Sequence, residues 1–180
     1  MAKAERKAID TVFILLGAMV TLALLGASVL GWWGYNFATN MVRTELGAQK
    51  IYFPPKGSPA FDPNTYPDLQ QYAGELVDTG PEAKAYANGY IKRHLSEAAD
   101  GKTYAEISTL AREDPTNAKL QQQKATLFQG ETLRGMLLGN GYAFWTFGMM
   151  AKYASLAALA GAIVMAVLVV LGWRHIRSLK

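Results

Sequence analysis

Apolar positions gather in two long runs separated by a mixed segment. No charged residue stands between Asp10 and Arg43, and Thr11 to Phe37 is almost wholly apolar. Tyr153 to Trp173, bounded by Lys152 and Arg174, is also uncharged. A helix needs about 20 apolar residues to cross a hydrocarbon layer roughly 30 Å thick, so either run suffices. Trp32, Trp33, Tyr35 and Phe37 close the first run, and Trp145, Phe147, Tyr153 and Trp173 bracket the second, as interfacial aromatic belts do. The pattern predicts transmembrane helices at 11–37 and 152–173. Because the first run passes the small residues Gly26, Ala27 and Ser28 and continues to Trp33, it is expected to be retained rather than cleaved as a signal peptide.

Between the runs the pattern is helical. Met41, Val42 and Leu46 extend the first helix outward. Five of the seven prolines then fall between Pro54 and Pro67. Proline lacks an amide hydrogen and biases its predecessor towards extended backbone, so 52–67 reads as an irregular loop. A short helix is expected from Asp68 to Asp78, stopped by Gly80, and a longer one from Glu82 to Ala99, opened by Pro81. Thr103 and Glu106 form a capping-box pattern ahead of Ile107, Leu110 and Ala111. Asp114-Pro115 is read as the cap of a last helix carrying Leu120, Leu127, Phe128, Leu133 and Leu137 towards the second run. No stretch alternates with period two. The fold class is therefore all-α: two transmembrane helices flanking a small helical domain with a proline-rich loop.

Charge sets the expected orientation. The chain has 180 residues and a net charge of +4. Lys3, Arg6 and Lys7 against Glu5 and Asp10 at one end, with Arg174, Arg177 and Lys180 at the other, supply the whole excess, so the segment between is neutral. By the positive-inside rule the tails 1–10 and 174–180 are cytoplasmic and the domain 38–151 is extracytoplasmic, which makes the chain a multi-pass protein of the cell membrane. The basic balance then reports topology. No aromatic-interleaved basic patch points to nucleic acid.

Candidate chemistry is sparse. With no cysteine there are no disulfides, thiolate ligands or thiol nucleophiles. The two histidines, His94 and His175, lie on opposite sides of the predicted membrane, whereas a metal site wants three or four converging ligands. His94 reads as a surface residue beside Lys92 and Arg93, and His175 as part of a basic helix anchor. No phosphate loop, nucleophile elbow or zinc-protease helix occurs, and neither predicted span carries a charged residue apart from Lys152 at the outer edge of the second, where its ammonium reaches water. No catalytic residue, cofactor, metal or small-molecule substrate is expected.

Association carries more signal. Ala154, Ala158, Ala162 and Ala166 recur every four residues, with Gly161 on the adjacent stripe, and Ala23, Ala27 and Gly31 repeat the spacing in the first run. Small residues let helix backbones approach closely, which is what drives packing in lipid. These eight positions are the predicted helix-packing interface. The aromatic residues of the loop are read first as packing on their own domain; Tyr52, Phe53, Pro54, Pro55 and Phe61 are otherwise the candidate surface for docking a partner. The expected partners are other membrane-protein subunits and the bilayer. The expected function is that of a non-catalytic accessory or structural subunit of a larger bacterial membrane complex, such as a respiratory or other energy-transducing one. The alternative is an extracytoplasmic ligand sensor, with Tyr86, Tyr90 and Tyr104 lining a pocket and a separate protein carrying the signal.

At Gly101–Glu106 (Gly-Lys-Thr-Tyr-Ala-Glu), Asp114-Pro115 and Ala143–Gly148 (Ala-Phe-Trp-Thr-Phe-Gly), the chain resembles small actinobacterial two-span membrane proteins with a helical extracytoplasmic domain. The resemblance implies both ends in the cytoplasm and a helical outer segment of similar length. It implies no catalytic positions. The layout is also similar to that of accessory subunits of actinobacterial respiratory complexes.

Overall fold

A computed structural model describes residues 3–178, with side chains from Glu5 onward. Lys180 and the side chain of Lys3, counted above in the charged tails, lie outside the described residues. The described chain is helical, and its only strand-like pairing is an isolated antiparallel bridge between Tyr52 and Leu76. It divides into two compact units. One comprises the chain up to Phe37 together with the chain from Phe147 onward, and the other is Ala38–Thr146.

Helix α1 spans Lys3–Gln49, 47 residues or about 70 Å at 1.5 Å per residue. The last helix, α6, spans Phe144–Ser178. Both are long and apolar enough to cross a membrane. Within the first unit these two helices pack along one seam, and their remaining surface is bare hydrocarbon: Leu22, Val29 and Leu30 are each 69% exposed. Val164, Val170 and Leu171 are more than half exposed as well.

The second unit has a conventional core. Phe53, Phe61, Leu69, Val77, Ile107 and Leu137 are almost fully buried. The proline-rich loop supplies its centre. The side chain of Ser58 accepts from the Ala60 amide and starts a single 3₁₀ turn, Pro59–Phe61, which delivers Phe61 inward. The Phe53 amide donates to the Glu75 carbonyl (2.9 Å) and the Val77 amide to the Ile51 carbonyl (2.8 Å). Those two bonds tie the loop's first limb to residues 75–77 and turn Phe53 into the core.

Residues 68–78 do not form the expected helix. A 3₁₀ helix covers only Pro67–Tyr72, with Ala73 as its cap, and Gly74 follows at a φ of +78°, which no right-handed helix tolerates and glycine adopts freely. The chain then runs extended through Leu76 and Val77. The next helix is opened by Thr79, which together with Glu82 forms a capping box, and Pro81 sits within its first turn. It continues without a break as α2 (Gly80–Lys84), a π-helical turn (Ala85–Ile91) and α3 (Lys92–Ala98). Asp100 and Gly101, both at positive φ, end it.

Helix α4 (Tyr104–Glu113) starts from the expected Thr103–Glu106 capping box. Helix α5 (Ala118–Met136) is capped by Asn117 rather than by Asp114-Pro115: the Asn117 side chain accepts from the Leu120 amide. Asp114 instead closes α4 and accepts from the Thr116 hydroxyl (2.9 Å). Two glutamines of α5 satisfy carbonyls that helix ends leave free. Gln121 donates to Ala111 O (2.8 Å) and the buried Gln123 donates to Ala98 O (2.9 Å). Beyond α5 a second π-helical turn, Leu137–Ala143, leads into α6.

Burial separates the loop residues into two energetic classes. Phe61→Ala should destabilise the second unit by about 3–5 kcal/mol, the usual cost of emptying a buried phenylalanine site. Tyr52→Ala, at a side chain 54% exposed, should change stability by no more than about 0.5 kcal/mol. Chemical denaturation of the full chain in mild detergent, followed by near-UV circular dichroism, checks both. Equal midpoints for the two variants would contradict the burial pattern.

Candidate functional site

Two features concentrate chemistry: the seam between α1 and α6 in the first unit, and the ring-lined interior and polar groove of the second.

Along α1 the seam positions are Ile14, Gly17, Thr21, Leu24, Ser28 and Gly31, all buried or half-buried among exposed neighbours. On α6 they are Gly148, Ala151, Ser155, Ala158, Ala162, Met165 and Val169. The steps alternate between three and four residues, averaging 3.5, the repeat that keeps two helices in contact along a left-handed seam. Towards the Gly31 end the two backbones come close. The Ser155 hydroxyl donates to the Ser28 carbonyl at 2.6 Å, and the two hydroxyl oxygens lie 3.3 Å apart. A Cβ placed on Gly31 would stand 3.0 Å from both the Ala151 carbonyl oxygen and the Ser155 Cβ. Above this point the Lys152 ammonium sits 4.8 Å from the Tyr35 ring centroid, so its charge is held by an aromatic face of the partner helix.

The predicted packing residues divide across this geometry. Gly31, the half-buried Ala158 and the fully enclosed Ala162 lie in the seam, with Gly161 and Ala166 half-buried beside it. Ala23, Ala27 and Ala154 are exposed, as is Ala157. A strict four-residue stripe advances 40° per step around a helix of 3.6 residues per turn, so the alanines 154, 158, 162 and 166 cannot all face one straight neighbour. The sequence reading missed Ser28, Ser155 and Gly148. The alternation of three and four was the signal that would have found them.

Of the five loop residues proposed for docking a partner, Phe53 and Phe61 are consumed by their own core, being 1% and 0% exposed. Pro54 is half-buried, and Tyr52 and Pro55 face outward. Phe53 stacks on Tyr72 at 5.1 Å and meets Tyr86 edge-on at 5.0 Å. Phe61 stacks on Tyr66 at 5.6 Å, and Tyr66 meets Tyr90 at 5.3 Å. Burial pushes the phenols of Tyr86 and Tyr90 upward in pKa. These tyrosines therefore knit the interior. Tyr104 packs elsewhere, on Phe128 of α5, so the three tyrosines considered as a pocket lining are not brought together. His94 lies parallel to Tyr90 at the edge of the ring cluster, 6.5 Å between centroids.

The two π-helical turns share a signal that the sequence reading passed over: each contains Asn-Gly-Tyr, at 88–90 and at 140–142. Both glycines are buried, and a Cβ at Gly141 would lie 3.0 Å from the Ala83 Cβ. A π turn offers its carbonyls to outside donors. Arg134 uses that opening, donating from Nε to Ala87 O (3.1 Å) and from Nη2 to the Asn88 side chain (3.2 Å). Nearby, Lys84 donates to the Tyr142 hydroxyl (3.2 Å), which holds that phenol below its usual range. Lys84, Tyr142 and Asn88 share a shallow groove of about 550 Å³ with the pair Arg93–Asp68. That pair is bidentate, at 2.7 and 3.0 Å, and Arg93 also donates to the Thr65 carbonyl (3.2 Å), clasping the loop to α3.

Among the described residues no three histidine, cysteine or carboxylate side chains converge where a metal could sit. The chain matches no protein-family model, no curated protein and no solved structure.

Two outcomes test this geometry. Gly31→Val should loosen the helix pair at a cost of about 1–3 kcal/mol. Gly26→Val, at a position with nothing within 4 Å, should cost well under that. Thermal unfolding in detergent separates them, and equal losses would refute the seam. The hydrogen bond from Arg93 lowers the Asp68 pKa in the folded state. Its contribution is therefore present above the usual carboxylate range and is lost as pH falls through the folded value. Because Arg93 and Asp68 are 37% and 55% exposed, it is at most about 1 kcal/mol. Asp68→Asn should lower stability at neutral pH, and the gap from the parent should close in acid. A gap that persists in strong acid would assign the effect to something other than the ion pair.

Proposed function

We propose that the protein is a non-catalytic accessory subunit of a larger membrane complex. Helices α1 and α6 are its membrane spans, both termini are cytoplasmic, and Ala38–Thr146 is an extracytoplasmic domain that covers or braces a neighbouring subunit. The charge-free runs, their aromatic borders and the basic tails support the placement in the membrane.

The observation that carries the reading is the division of the small residues. Pairing of α1 with α6 uses Gly31, Ser28, Ser155 and Ala162. Ala23, Gly26 and Ala27 of α1 and Ala154 and Ala157 of α6 remain on outward faces. In lipid, where no hydrophobic effect drives helices together, a second set of small residues favours close approach by another helix. Tyr52 and Pro55 offer a rigid, partly aromatic contact on the other unit.

The test is purification of the tagged protein from its native membrane in mild detergent, followed by native gels and mass spectrometry. Stoichiometric recovery with one large complex is expected. The double variant Ala154→Leu/Ala157→Leu should lose that complex while membrane insertion and the helical circular dichroism signal stay unchanged. Ala162→Leu should instead damage the internal pair. Recovery of the parent alone, or retention of the complex by the double variant, would refute the reading.

A further inference from the structure

The seam ends in an ionisable residue that the proposed function leaves unused. Asp10 continues the seam line of α1 one step beyond Ile14, and it is half-buried where its preceding neighbours are exposed. Its Oδ2 atom is buried and has no hydrogen-bond partner among the described residues. The carboxylate borders a notch of about 250 Å³ between α1 and α6, walled by Phe13, Ile14, Met165 and Leu168, with His175 at the same end. Phe13 and Leu168 are 68% and 55% exposed, so the walls open outward.

A buried carboxylate oxygen without a donor is costly, and a charged donor compensates best. Three requirements define what fits this notch. It must bring a cationic N–H group to Asp10. It must have hydrocarbon to lie along Phe13 and Leu168. It must reside where the uncharged runs end, because Asp10 and Arg174 are the residues that bound them. A phospholipid with a primary ammonium headgroup meets all three. Its phosphate, one short linker away from the ammonium, is in addition an acceptor for an imidazole N–H of the exposed His175. A choline headgroup has the cation but no N–H. A glycerol headgroup has no cation.

We propose that this notch is a binding site for an ethanolamine phospholipid of the cytoplasmic leaflet. The ammonium donates to Asp10, the phosphate accepts from His175, and an acyl chain lies along Phe13 and Leu168. This rests on the reading of α1 and α6 as membrane spans, so the experiment has a separate arm for each claim.

The purified full chain is first mixed with dioleoyl-phosphatidylcholine vesicles and floated on a density gradient. It is then titrated in detergent with dioleoyl-phosphatidylethanolamine, -choline or -glycerol lipid, and bound lipid is counted by native mass spectrometry. The chain should float. The ethanolamine lipid should bind about tenfold more tightly than the choline lipid, equivalent to about 1.4 kcal/mol. Asp10→Asn, nearly isosteric, should bring that ratio to about one. His175→Ala should weaken both lipids alike, since both carry the phosphate. Equal binding of ethanolamine and choline lipids by the parent, a preference for the glycerol lipid, or a ratio that survives Asp10→Asn overturns the notch while leaving the spans standing. Unchanged affinity in His175→Ala overturns the phosphate contact. A chain that does not float overturns both claims together.

Discussion

Backbone proximity at one point of the helix pair governs what the rest of that unit can be. Gly31 has no side chain to hold Ala151 and Ser155 away, so α6 comes close enough for the Ser155 hydroxyl to reach a main-chain carbonyl, that of Ser28, at 2.6 Å. Contacts on either side follow the 3.5-residue repeat outward from there. In water such a pair would be held by exclusion of its apolar surface. Here the outward surface is as apolar as the seam, so the seam must be distinguished by fit and by the hydroxyl bonds. That is why small and hydroxyl-bearing residues hold most of the line, with Ile14, Leu24 and Val169 between them, while the other leucines, valines and phenylalanines of the spans are mostly turned away from it.

The second unit solves a different problem with different chemistry. Its helices are short, and two of them rely on capping boxes and on glutamine side chains to satisfy their ends. Its core is built from rings, and the loop that carries Phe53 and Phe61 is part of that core. Prolines cost this loop little, because its remaining amides are largely served nearby: Ser58, Phe61, Thr65 and Tyr66 donate to carbonyls within the loop, Phe53 donates to the Glu75 carbonyl, and the Phe61 side chain anchors the whole. A stretch that looks irregular thus puts three rings, Phe53, Phe61 and Tyr66, among the most enclosed side chains of the unit, while Pro55, Pro59, Pro63 and Pro67 stay exposed.

Much of this was legible in the sequence, and what was not has identifiable causes. The two long helices announce themselves because uncharged, largely apolar runs of 32 and 21 positions leave no other economical conformation. The Thr103–Glu106 box was read correctly, since its donors and acceptors lie three residues apart in the chain. The same pattern at Thr79–Glu82 was overlooked behind Pro81. Asn117 was missed in favour of Asp114-Pro115 because both motifs suit a cap, and only the real start at Ala118 decides between them. The π-helical turns could not be read from periodicity, since one extra residue per turn shifts the pattern by less than ordinary scatter. Their shared Asn-Gly-Tyr was the available clue. Within the apolar runs the contacting face was hidden for a further reason: with no polar residue to mark the outside, several stripes of small residues compete. The alternating spacing through Ser28 and Ser155 is the one that closes.

The separation of contacts along the chain also orders the molecule's assembly during synthesis. The ring cluster around Phe53 and Phe61 joins residues between Phe53 and His94, so it has all its members while much of the chain is still unmade. The Ser28–Ser155 bond spans 127 residues and waits until the end. Loop-closure entropy rises by only about 0.6 kcal/mol for each doubling of the intervening chain, so distance alone does not forbid the seam. It does mean that α1 must exist for most of translation with its small-residue face uncovered. Any partner, lipid or protein, that meets this face early does so before the helix's own mate has been made.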